Sequence, residues 1–192
     1  MTRGDAVNGI VPIRIGRPWH LATLLHTGRR RRAASPASAA LGSMLSTSPD
    51  RRAAFHEAAH AVVALEIGVT VQFSVVFDDG AGRTPCEGEA DPPERTALAF
   101  AGEEAEWNLF GSIARSFGGR AVFEHEIALD AGVSGASKAA LEARGRTIAS
   151  EIISRRISAV AAIAAEFMRR PFVDGAVRLE TEEIIAIVER SK

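Results

Sequence analysis

The chain has 192 residues, 46% of them hydrophobic and 24% charged, and a net charge of -1. That length and apolar content fit one globular domain with a real core and exclude a wholly disordered chain. The lone cysteine, Cys86, excludes an internal disulfide framework and a cysteine zinc cluster. The longest apolar stretches, Ala58–Leu65 and Ile157–Met168, fall short of the roughly 18–20 residues of a membrane-spanning helix.

The balanced total conceals two unlike parts. Residues 1–49 hold seven arginines and one acid, a charge of +6, whereas residues 50–192 hold 23 acids and 16 bases, a charge of -7. The first part, taken as a leader over 1–47, has no clear periodicity and carries the run Arg29–Arg32 before an Ala- and Ser-rich stretch. It reads as poorly ordered. Three other readings are a transit peptide, a nucleic-acid patch and an extension ahead of a true start at Met44. The balanced charge of the whole argues against nucleic acid as a general partner. The domain is expected over 48–192.

In chain order, Ser48 is the expected cap of a first helix from about Pro49 to Ile67, stopped by Gly68. Ala54, Phe55, Ala58, Ala61, Val62 and Leu65 give it one apolar face. Val69–Phe77 alternates, with Val69, Val71, Phe73, Val75 and Phe77 on one side, and predicts a half-buried strand. Asp78–Gly80 is a turn, and Ala81–Asp91 is a loop or a second short strand. Pro92 opens a second helix that ends before Gly111. Arg120–Gly135 is ambiguous. A long helical stretch is expected from Ser137 to Arg170, with Gly145 as its weak point and Pro171 as its stop. Thr181 caps a last helix over Glu182–Arg190. The fold class is therefore mainly α with a small β element (α+β).

The chemistry lies in His56-Glu57-Ala58-Ala59-His60, an HExxH motif on the first helix. Residues i and i+4 share a helix face, so both imidazoles can reach one metal ion. Glu57, beside a ligand, can contact a water on that metal, take its proton and return it to a leaving amine. Only five histidines occur, and two are in this motif; His20 and His26 fall in the leader.

His56–Leu65, HEAAHAVVAL, closely resembles the start of the peptidase domain of FtsH-type ATP-dependent zinc proteases. Leu98–Glu106 followed by Phe110-Gly111, Gly135–Arg144, and Leu179–Ile184 after an Ala-rich helix are similar to later segments of that domain. The resemblance implies a zincin-like HExxH helix packed in a helical peptidase domain. It implies Zn2+ held by His56 and His60, Glu57 as catalytic base, and an Asp as third ligand. The pattern departs there, because alignment puts Ala139 or Gly135 at the Asp position. Asp130 is the favoured replacement, with Glu124, His125, Glu126 and Glu142 as further candidates.

The resemblance further implies a polypeptide substrate and leaves a homo-oligomer open, since the ATPase modules of the full-length proteases contribute to their assembly. The chain has no Walker A loop, so ATP-driven unfolding would need a separate ATPase partner. The expected compartment is the cytoplasm, with organelle targeting as the alternative. The rival function is a catalytically inactive relative acting as an interaction module.

Remaining features have plainer readings. Glu103, Glu104 and Glu106 form a solvated face or supply a glutamate ligand. Trp107 and Phe110 are core, Cys86 is a loop thiol, and Lys138 is solvated. Ile157–Met168 is central to the core or buried in an oligomer contact.

Overall fold

The computed structural model describes residues 49–113, 132 and 134–191. The leader of 1–47 and Ser48 lie outside them, as do Asp130, Glu124, His125 and Glu126. The order is α1 (Arg51–Glu66), β1 (Thr70–Val71), β2 (Phe73–Phe77), β3 (Gly82–Arg83), β4 (Cys86–Glu87), α2 (Pro92–Phe110), α3 (Gly135–Arg155), α4 (Ile157–Arg169), β5 (Ala176–Glu180) and α5 (Thr181–Arg190). The molecule is α+β and mostly helical, as expected.

Helix α1 is the centre of the fold, packed against α2, α4 and β2. Every residue from Ala54 to Ala64 is buried, so its apolar side is not one face but nearly the whole circumference. Six alanines in Arg51–Glu66 permit that close enclosure. The cap is Asp50 rather than Ser48: its Oδ1 accepts from Arg52 N at 2.7 Å and Ala53 N at 3.3 Å.

The expected single strand over Val69–Phe77 is divided at Gln72, whose amide donates to Pro85 O at 2.9 Å. The division changes which residues face inward. Ser74 and Val76 are fully buried, while Phe73 and Phe77 are half-buried on the outer face. Antiparallel β1–β4 forms one small sheet, and β3-β2-β5 forms another, all antiparallel. Strand β5 was not anticipated. It pairs with β2 along its length, from Phe73↔Glu180 to Phe77↔Ala176. Cys86 is not a loop residue: it lies in β4 and is buried. Burial, with the charge of Glu57, pushes its thiol pKa up to about 12, which makes it a poor nucleophile.

Helix α2 matches its prediction. Asp91 and Glu94 form a capping box, Pro stands in the first turn, and Gly111 closes the helix at φ 65°. The long third helix is broken at Arg156, not at Gly145. Gly145 is buried in α3, where an added Cβ would overlap Thr96 Cγ2 and lie 2.9 Å from the Thr96 carbonyl carbon. The glycine is a contact point between α3 and α2. Gly145→Ala gains about 1 kcal/mol of helix propensity but overpacks against backbone that cannot yield. Denaturant unfolding should show a net loss of up to about 2 kcal/mol.

Helix α4 sends Ala159, Val160, Ile163, Ala164 and Phe167 into the core and leaves Ala161 and Ala165 exposed. At α5 the cap is Glu180, in a capping box with Glu183. Thr181 instead donates to Val71 O at 2.8 Å and Gln72 O at 2.6 Å, tying the helix to the β1–β2 junction. No helix among the described residues is long and apolar enough to cross a membrane.

A surface network joins α4 to α5. Glu166 accepts from Arg169 at 3.0 and 2.6 Å and from Arg170 at 2.8 Å, and Arg170 also meets Glu183 at 2.7 Å. Arg169, then Arg170, holds the Glu166 pKa down at about 2 against an ordinary 4.5. A depressed carboxylate stabilises the fold above its unfolded pKa and stops doing so below its folded one. The stability difference between wild type and Glu166→Gln should therefore be full above pH 4.5 and vanish as the pH falls to about 2. Chemical denaturation at a series of pH values measures it.

Candidate metal centre

The helical spacing of His56 and His60 brings their rings to 4.9 Å between centroids, tilted by 58°. Both are buried. Each ring is fixed through Nδ1. His56 Nδ1 bonds Glu106 Oε1 at 2.8 Å, and His60 Nδ1 bonds Leu98 O at 2.8 Å. Both partners come from α2. One carboxylate and one main-chain carbonyl are the usual outer partners of metal-binding histidines, with any metal then taken through Nε2. Two rings sharing a tetrahedral ion at roughly 2.0–2.1 Å from Nε2 would have centroids about 5 Å apart, a separation this pair matches.

Glu106 is not on a solvated face: it bonds the buried His56 ring. It is 3% exposed and is held by Arg52, whose Nη1 lies 3.4 Å from Oε2. Arg52 is anchored in turn by Ser112, through O at 3.0 Å and Oγ at 2.9 Å. Burial depresses the His56 pKa, but the Glu106 hydrogen bond and the charges of Glu57, Glu106 and Glu103 outweigh it and leave it raised.

Glu57 lies beneath β3. A Cβ on Gly82 would fall 2.5 Å from Glu57 Cγ, so only glycine lets the strand lie this close. Thr84 Oγ1 donates to Glu57 Oε2 at 2.8 Å, and Ser74 Oγ sits 2.7 Å behind Thr84. Burial pushes the Glu57 pKa up to about 7, opposed by His56 and by the Thr84 hydroxyl. Thr84 and Gly82 carried no recognisable motif signal.

Gly102, on α2, faces the His56 imidazole. A Cβ there would be nearly equidistant from His56 Nε2, Cδ2 and Cε1, all within overlap distance. The glycine therefore packs on the ring face at its Nε2 end. Its neighbour Glu103 is buried and pairs with Arg146 at 3.3 Å, while Glu104 takes the same guanidinium at 2.6 Å. Arg146 also stacks 3.7 Å above Phe100.

Among the described residues, no group of three His, Cys, Asp or Glu is placed to hold a metal ion. Glu142 pairs with Lys138 at 3.3 Å, so Lys138 is not simply solvated. Ala139 and Gly135 are exposed. Trp107, expected in the core, is 58% exposed, whereas Phe110 is half-buried and meets Phe55 edge-on at 5.8 Å. Asp130 lies outside the described residues. The chain matches no protein-family model, and no curated protein matches it.

Proposed function

We propose that the His56–His60 pair and Glu57 form the centre of a zinc-dependent peptidase. The observation that carries this reading is the fixing of both imidazoles through Nδ1, by Glu106 and Leu98 O, with a buried carboxylate between them in sequence. The resemblance of His56–Leu65 to FtsH-type peptidase domains supports it. His56 and His60 would hold the ion through Nε2, and Asp130 is the proposed third ligand. When bound, zinc supplies Lewis acidity towards a water and a carbonyl group.

The chain's own residues do the rest. Glu106 and Leu98 O keep the rings in one tautomer and orientation. Thr84 holds one Glu57 oxygen at 2.8 Å, which fixes the direction from which the carboxyl group takes a proton from water and passes it to the leaving amine. Gly82 and β3 cover Glu57 and exclude bulk water. Strand β3 is also an edge of its sheet, and an extended polypeptide pairing there would run past Glu57. The substrate is a polypeptide that is already accessible; a separate ATPase would be needed to unfold a folded one.

Purified protein should contain about one zinc per chain by elemental analysis and should hydrolyse casein. Treatment with 1,10-phenanthroline should remove both properties, and added zinc should restore them. Protein purified without zinc, and unable to take it up, would overturn the reading. Zinc bound with no hydrolysis would point to the interaction module instead.

A further inference from the structure

The small sheet has a second face, turned away from α1. Val76, Val177 and Leu179 belong to the core, so their neighbours Phe73, Val75 and Phe77 project the other way. The chain from Arg170 to Ala176 rises beside them and completes a groove of about 530 Å³. That is the size of a small-molecule site rather than of a macromolecular interface.

Three arginines line the groove, and they are not equivalent. Arg178 is bound by Glu180 at 2.6 and 3.0 Å, and Arg170 by Glu166 and Glu183. Arg83 makes no ion pair among the described residues, and its Nε is buried without a hydrogen-bond partner. The register puts Arg83, Val75 and Arg178 in one row across three strands. Their two guanidinium groups also lie over Phe73, at 5.2 and 3.8 Å. A guanidinium that lines the groove without a carboxylate partner is the position an anion would complete. Asp174, on the loop wall, is the one acid in the lining.

We propose that this groove binds a small amphipathic carboxylate, its head on Arg83 and its apolar body over Val75 and Phe77. A carboxylate matches the planar guanidinium fork, and the apolar floor requires a hydrocarbon or aromatic body. The basic leader has the wrong charge for this place. Gly82 faces Glu57 and Arg83 faces the groove, so the ligand would sit on the reverse side of the strand that shelters the metal centre.

Decanoate tests this on the full chain by isothermal titration, with decan-1-ol as the uncharged control. Binding should saturate at one per chain, and decan-1-ol should bind at least tenfold more weakly. Arg83→Gln should weaken decanoate at least tenfold, and Arg83→Lys by less. Circular dichroism checks folding. If Arg83→Gln unfolds, Val173→Asp, at a position 69% exposed, carries the test and should also weaken decanoate. Non-saturable binding, equal affinity for decan-1-ol, or indifference to these changes would overturn the proposal. None of these readouts involves zinc or hydrolysis.

Discussion

Glu57→Gln is expected to lower casein hydrolysis by about 10²–10⁴-fold while leaving zinc content unchanged, the cost of removing a general base. The substitution is close to isosteric. Its remaining carbonyl oxygen still accepts from Thr84 Oγ1, and its length still fits beneath Gly82. The Nδ1 anchors of His56 and His60 are untouched, because they are Glu106 and Leu98 O. Stability should therefore hold as well, since an amide is easier to bury than a carboxylate. His60→Ala gives the contrasting pattern, with zinc and activity lost together. Elemental analysis beside a rate measurement separates the two. Hydrolysis at the wild-type rate in Glu57→Gln would remove Glu57 from the chemistry; loss of zinc would make it part of the ion's hold.

Gly102→Ala should damage the same centre from the opposite side. The added methyl overlaps the His56 ring, and α2 cannot withdraw without disturbing its packing on α1 and α3. Overpacking of this kind costs about 1–3 kcal/mol. The ring has one direction to move, away from α2, which breaks its 2.8 Å bond to Glu106. Loss of such an outer partner weakens metal by about 10–100-fold. Denaturant unfolding and zinc competition against a chelator should thus both shift, although the variant keeps every proposed ligand. Unchanged zinc affinity would show that the ring is not held where Gly102 places it.

The parts of this molecule that were legible in the sequence are those decided within a few residues. HEAAH needs only the helical period to bring two rings together. Asp91, Glu94 and Gly111 mark the limits of α2 by local capping. What was hidden depends on distant partners. The faces of β2 follow from a break at Gln72 and from pairing with β5 about a hundred residues away, so alternation over Val69–Phe77 pointed Phe73 and Phe77 inward when they face out. In β5 itself, Val177 and Leu179 alternate with Arg178 and Glu180, but five residues between a turn and a helix give a weak signal. Gly145 read as a helix breaker because its reason, Thr96 of α2, is remote. The bond of Glu106 to His56 was hidden because nothing local joins residues fifty positions apart.

Helix α2 contributes Leu98 O, Gly102 and Glu106 to the two imidazoles, at spacings of four residues along one side. The competence of HEAAH is accordingly a property of two helices in register rather than of five letters. Sliding α2 by one residue against α1 would rotate all three contacts away at once while leaving the motif intact. If the proposed zinc is bound, separation of α1 from α2 during unfolding should release it in the same step, so that metal loss and the melting of this helix pair form one event.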